Sequence, residues 1–236
     1  MIKKHIPNSL TCCNLMCGCM ATGAAFYGNY RWAIVVIIVG AVFDFFDGMV
    51  ARLLGVSSPI GKELDSLADV VTFGVAPSAI LFYLFHEVQY PAFLEPAAKI
   101  LPYTAFLMAA FSALRLAKFN LDTRQTTSFI GLPTPANALF WGALAQTLPT
   151  DAPNALLFWS LLGGALISCW LLVAEIPMFA LKFKHFGWHG NALRYSFALA
   201  SIALLCVLGL AGFSAVIVLY IVCSLVNNAV AKAGKQ

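Results

Sequence analysis

The chain has 236 residues, a formal net charge of +4 at pH 7, 61% hydrophobic and only 10% charged residues, and a mean hydropathy of +0.86. Soluble domains carry about 25% charged and 45–50% apolar residues, so this chain has too little polar surface to cover a water-soluble globule. The composition excludes a secreted scaffold, a disordered chain and an ordinary cytosolic enzyme, and leaves an integral membrane protein.

Residues 1–11 (MIKKHIPNSLT) are polar and basic, and are expected to lie as a short interfacial segment ahead of the first crossing. No cleavable leader is expected, because the apolar run that follows leads into more spans and lacks a clear small-residue cleavage site. About 20 helical residues cross a hydrocarbon core of roughly 30 Å. Apolar stretches bounded by charges, Pro or Gly predict eight helices, at 12–28, 32–54, 64–86, 99–119, 135–150, 155–177, 193–210 and 213–231. The last two are divided only by Gly209, Ala211 and Gly212. Read without a break, that stretch would be roughly 58 Å long, nearly twice the core, so a tight hairpin is predicted. The predicted fold is all-α, a polytopic bundle forming one integral membrane domain. It comprises the interfacial segment 1–11, a six-helix core over 12–177 and an added hairpin over 193–231.

The basic residues test the orientation. With both termini in the cytoplasm, the inner ends hold Lys3, Lys4, Arg52, Lys62, Arg115, Lys118, Arg124, Lys182, Lys184, Arg194, Lys232 and Lys235, and the outer ends only Arg31 and Lys99. That asymmetry follows the positive-inside rule. The net positive charge is then met by anionic headgroups and needs no nucleic-acid partner. Cys12, Cys13, Cys17 and Cys19 share one helix and read as small packing residues, not as metal ligands. His5, His86, His185 and His189 show no partner pattern, and Glu175 has no assigned role.

Four aspartates stand where apolar residues are expected. Asp44 and Asp47 are three apart, Asp65 and Asp69 four apart, and each spacing puts a pair on one helix face. The short turn between the two helices makes them antiparallel neighbours, so the four carboxylates converge near the inner interface. One aspartate at a span centre costs about 2.5–3.5 kcal/mol even on the low estimates. Arg52 and Lys62 are too few to neutralise four, whereas divalent cations suffice. A solvated or ion-paired set is the plain alternative. A proton relay would string its acids along the membrane normal instead of bunching them at one depth. All-oxygen ligation selects Mg²⁺, Mn²⁺ or Ca²⁺ over zinc or copper. Two ions bridging a diphosphate would stabilise charge on a leaving phosphate. Gly48, Ala51 and Gly61 leave room beside the backbone for a nucleotide or phosphate, and Arg52 can fork onto phosphate oxygens.

The stretch DFFDGMVAR at 44–52, followed by eight residues, Gly61, three residues, Asp65, three residues and Asp69, resembles the full signature of the CDP-alcohol phosphotransferases. Those enzymes transfer a phosphatidyl or similar group from a CDP-linked donor to an alcohol and release CMP. The resemblance implies that Asp44, Asp47 and Asp65 bind the metals. Asp69 is then the catalytic base, with a share in metal binding, and Gly48, Ala51, Arg52 and Gly61 line the CDP site.

Further elements resemble the phosphatidylserine synthase branch of that family. They are IPNSLTCCN at 6–14 (IPNxxTxxN), ADVVTFGVAP at 68–77 (ADxxSFGxAP, with Thr72 for Ser), RLAKFN at 115–120 (RxARFN, with Lys118 for Arg) and FIGLPTPA at 129–136 (FxGLPxPA). Lys118 keeps the charge of Arg but loses its bidentate fork. Asn8, Thr11 and Asn14 either cap the first helix or contact the cytosine. Serine carries a carboxylate, and Arg115, Lys118 and Asn120 form the available cluster for it, with interfacial anchoring as the other reading. The resemblance implies CDP-diacylglycerol and L-serine as substrates, a membrane location and an active site facing the cytoplasm. The inner membrane follows from the prokaryotic type of topology, and a homodimer is expected because many small polytopic enzymes associate. Glycerol 3-phosphate or inositol phosphate would demand more cations than this cluster supplies. A divalent-cation transporter would place acids along a route to the outer face, which is almost uncharged.

Overall fold

The computed structural model describes residues 5–56, 58–122, 128–148, 155–180, 187 and 191–233, and they are almost wholly helical. Helix α1 (His5–Phe26) packs along α2 (Tyr30–Leu53). The turn between them is closed by Asn29, whose side chain accepts from the Trp32 N–H. Helix α3 (Pro59–Asp69) has Pro59 in its first turn and Ser58 as N-cap, whose Oγ accepts from the Gly61 N–H at 2.9 Å. It runs straight through a π-helical turn (Val70–Val75) into α4 (Ala76–Glu87). Two 3₁₀ turns (Ala92–Ala97 and Leu101–Phe106), rich in Pro, precede α5 (Leu107–Leu121). The chain continues with β1 (Ser128–Ile130), α6 (Thr134–Leu144), α7 (Ala155–Val173), β2 (Pro177–Phe179), α8 (Ala192–Leu208) and α9 (Gly212–Ala233).

The main core gathers Ile37, Phe73, Ile80, Phe85, Trp141 and Phe158, all fully buried. The indole N–H of Trp141 donates to Ser168 Oγ at 3.0 Å, which satisfies the one polar atom of that buried ring. A second cluster, Leu132, Met178, Phe179, Phe197 and Tyr220, lies where the strands meet α8 and α9. Five helical runs are long and apolar enough to cross a membrane: His5–Phe26, Tyr30–Leu53, Pro59–Glu87, Ala155–Val173 and Ala192–Ala233. The last run, 42 residues, holds a reversal at Gly209, where φ is +59°, and α9 packs back on α8. Exposed Leu199, Ile202, Val207, Val222 and Val226 leave that hairpin an apolar outer surface, as lipid contact requires. The protein is membrane-integral.

Each predicted helix has a counterpart in the observed order, with four revisions. Residues 5–11 are helical and continuous with the first span, and the third span begins at Pro59 instead of residue 64. The stretch at 99–119 opens as a 3₁₀ turn, and only 15 residues of it and its neighbours form α5. The α-helix within 135–150 has 11 residues, so neither α5 nor α6 is among the five long runs. The antiparallel pair β1–β2 was not expected from the sequence. Lys3, Lys4, Arg124, Lys182, Lys184, Lys235, His185 and His189 lie outside the described residues.

Close approach of α1 to the π turn sets the architecture of the end that carries the four aspartates. A Cβ on Gly18 would stand 2.8 Å from both Thr72 Cα and Thr72 N, so only glycine fits. Gly18→Ala must therefore separate α1 from the π turn, at a cost of about 1–3 kcal/mol. The expected result is a melting temperature several degrees lower in a detergent thermal-shift assay, and an unchanged value would refute the contact.

Candidate active site

Helix α2 carries Asp44 and Asp47 and helix α3 carries Asp65 and Asp69, with a turn at Leu54 and Gly55 following α2. Helix α1 packs against both α2 and α3, and three of the four carboxylates expected to converge do so. Asp44, Asp47 and Asp65 each present a carboxylate oxygen, and the three oxygens lie within 4.8 Å of one another. Asp47 is buried and the other two are half-buried. Asp65 Oδ1 is shielded from solvent with no hydrogen-bond partner among the described residues. A buried carboxylate oxygen in that state calls for a cation, and three hard oxygens at this spacing fit a divalent one.

Helix α1 supplies the polar groups that hold the aspartates. Thr11 and Asn14 are three apart, so both face the same way. The Thr11 hydroxyl donates to Asp47 Oδ2 at 2.6 Å, and the Asn14 amide donates to Asp69 Oδ1 at 3.1 Å. The π turn then fixes α1 in register, with the Thr72 hydroxyl donating to the Asn14 carbonyl at 2.9 Å. A π turn adds a residue to the helical ladder and is common at functional sites. Here it begins at the residue after Asp69.

Beside the acidic group lies a cavity of about 270 Å³ lined by Asn8, Thr11, Asp47, Gly48, Ala51 and Gly61, with Pro7, Val56, Ser58, Lys62 and Asp65 completing it. Gly61 keeps it open, because a Cβ there would stand 3.0 Å from both Asn8 Oδ1 and Ser58 Oγ. Gly48 sits beside the Arg52 guanidinium, whose Nη1 would be 3.6 Å from a Cβ at that position. Arg52, expected to line the site, is exposed and is not among the residues that line the cavity. Asn14 does not line the cavity; it is fully buried behind it, against Asp69.

The cluster at the end of α5 divides. Arg115 is 6% exposed, near enough to Asp69 and Tyr220 for its charge to interact with both. Its guanidinium lies over the Phe119 ring at 5.7 Å, and its Nε has no hydrogen-bond partner among the described residues. Lys118 is exposed. Asn120 braces α3: its amide donates to Ser66 Oγ at 2.7 Å and its carbonyl accepts from Lys62 Nζ at 3.3 Å. Three buried polar residues escaped the sequence reading. Ser112 is one turn before Arg115, and Thr134 and Asn137 are one turn apart on α6. All three carry side-chain atoms without a partner among the described residues, on helices that pack against the π turn. Polar residues spaced by three in an apolar helix were the available signal.

The chain matches the family model described as CDP-alcohol phosphatidyltransferase over residues 4–183. It is 35% identical over 190 residues to a CDP-diacylglycerol–serine O-phosphatidyltransferase of Bacillus subtilis (strain 168), covering 79% of this chain and 93% of that protein. A protein of the same name from Helicobacter pylori (strain J99) is 38% identical over 136 residues, 56% of this chain and 54% of that one. Another, from Mycobacterium leprae (strain TN), is 33% identical over 181 residues, 73% of this chain and 57% of its own length.

Proposed function

The chain belongs to the CDP-alcohol phosphatidyltransferase family, and we propose that it transfers the phosphatidyl group of CDP-diacylglycerol to the hydroxyl of L-serine, releasing CMP. The observation that carries this reading is the juxtaposition of three converging carboxylates with a cavity whose lining includes Gly48, Ala51 and Gly61. The names of the relatives support serine as the acceptor. So does Arg115, a buried cation with an unused N–H near Asp69.

In this reading the nucleotide occupies the cavity, and the acyl chains stay in the bilayer along the exposed apolar residues Phe45, Phe46, Ile60 and Leu67 of α2 and α3. Asn8 and Thr11 meet the cytidine end and Arg52 meets phosphate at the rim. Asp44, Asp47 and Asp65, with a share from Asp69, would hold two Mg²⁺ or Mn²⁺ ions, whose chemistry is Lewis-acid stabilisation of charge on the leaving phosphate. Asp69, held through one oxygen by Asn14, takes the proton of the serine hydroxyl. The freed oxygen attacks the β-phosphorus, the bond from that phosphorus to the CMP oxygen breaks, and phosphatidylserine remains in the membrane. Arg115 meets the serine carboxylate, with Lys118 and Asn120 at the edge of the same subsite. The eight helices, with the added hairpin completing a six-helix core, then cross with both termini and the site on the cytoplasmic side of the inner membrane. The charge asymmetry of the sequence supports that orientation.

The test is CMP release by purified protein with CDP-diacylglycerol and Mn²⁺ or Mg²⁺ across a panel of alcohols. Release with L-serine alone, silenced by EDTA, is the expected result. Release with glycerol 3-phosphate or inositol phosphate instead would overturn the acceptor and keep the site. No release with any alcohol would overturn both.

A further inference from the structure

We propose that the α8–α9 hairpin braces the acceptor side of the site, with Tyr220 as a positioning residue that holds Arg115 in its working orientation. The proposal rests on the reading of Arg115 as the group that meets the acceptor carboxylate. The whole hairpin, α8 as well as α9, lies beyond the stretch matched by the family model, which ends at residue 183.

The argument is a continuous set of contacts. Tyr220, buried on α9, packs its ring 4.9 Å from Phe179 and 5.9 Å from Phe197, and its hydroxyl donates to the Phe179 carbonyl at 3.0 Å. Two turns on, Asn228 donates to the Pro177 carbonyl at 2.6 Å. One helix thus grips both ends of β2. The other edge of β2 pairs with β1, Phe129 opposite Met178. Next to the ribbon, the Gly131 N–H donates to the Ile176 carbonyl at 2.9 Å and the Leu132 N–H to the Leu171 carbonyl at 2.8 Å. Phe129 on β1 packs its ring 6.3 Å from Phe119, and Phe119 is the ring beneath the Arg115 guanidinium. The Arg115 Nε is unpartnered among the described residues, so the ring beneath the guanidinium bears on its orientation beside the charge of Asp69. A buried cation on a long side chain loses its geometry unless its platform is fixed, and here the platform is fixed from α9.

The test uses the full-length protein in detergent or nanodiscs, with CMP release as the readout. Tyr220→Phe removes one hydroxyl and keeps the ring. A lost buried hydrogen bond should raise the acceptor KM about three- to tenfold. The KM for CDP-diacylglycerol should stay unchanged. Asn228→Ala loosens the other end of the same strand and should shift the acceptor KM in the same direction, which keeps the test alive if the first variant folds poorly. Because Tyr220 acts through Arg115, adding Tyr220→Phe to Arg115→Lys should raise the acceptor KM no further than Arg115→Lys alone. An acceptor KM unmoved in both brace variants, two KM values rising together, or additive losses in the double variant would overturn the proposal. If Arg115→Lys itself leaves the acceptor KM at the native value, the reading of Arg115 falls and takes this proposal with it. A loss in Arg115→Lys with silent brace variants removes only the brace.

Discussion

Asp47→Asn is expected to abolish transfer while leaving the fold intact, and in EDTA the variant should melt no lower than the native chain. Asparagine keeps the shape and can still accept the Thr11 hydroxyl bond that now ends on Asp47 Oδ2. What it loses is a charge from a group of three carboxylates with oxygens within 4.8 Å of one another. Without a cation those charges repel in a poorly solvated place, so removing one relieves the metal-free fold. With a cation the balance reverses. The native chain should gain melting temperature on addition of Mn²⁺ or Mg²⁺, because an ion that binds only the folded state stabilises it by mass action, and the variant should gain less. Metal-supplied charge stabilisation is worth several kcal/mol, so the loss in kcat is on the order of a thousandfold or more. Thermal shift with and without EDTA, run beside CMP release, checks both halves. A variant that keeps a tenth of native activity, or a native chain indifferent to divalent cations, would remove these aspartates from the metal site.

That opposition of stability and function explains why the site was the most legible part of the molecule. Aspartates three and four apart in apolar helices have no structural reason to be there, and helix geometry alone dictates that each pair shares a face. The hairpin over α8 and α9 was legible for a similar reason, since a helix of that length does not fit a bilayer and glycines mark the only break. Other features left no local trace. An inserted π residue does not disturb a run as apolar as Val70–Val75, so the offset after Asp69 could not be read from periodicity. The pairing of Ser128–Ile130 with Pro177–Phe179 joins segments about 50 residues apart, and three-residue strands carry no pattern of their own. Thr11 and Asn14 were legible as polar residues on a first helix, read as caps or as cytosine contacts. That they reach Asp47 and Asp69 depends on the close approach of α1 at Gly18, which only the packing reveals.

Asp69→Asn separates the two roles that a fourth aspartate can have. Asp69 is outside the triad of converging oxygens, and its Oδ1 is engaged by the Asn14 amide. An asparagine side-chain oxygen can accept that same bond, so α1 and the cavity should be undisturbed and the variant should melt like the native chain. A general base contributes typically 10²–10⁴-fold to turnover, and kcat should fall by about that factor. The KM and the directly measured affinity for CDP-diacylglycerol should stay near native, since the cavity lining and the three converging carboxylates are unchanged. A loss confined to kcat marks an interaction made only in the transition state. The contrasting outcome is equally sharp. If donor affinity and the thermal response to Mn²⁺ fall together with kcat, Asp69 is chiefly a metal ligand. The proton of the serine hydroxyl must then leave to a base other than Asp69.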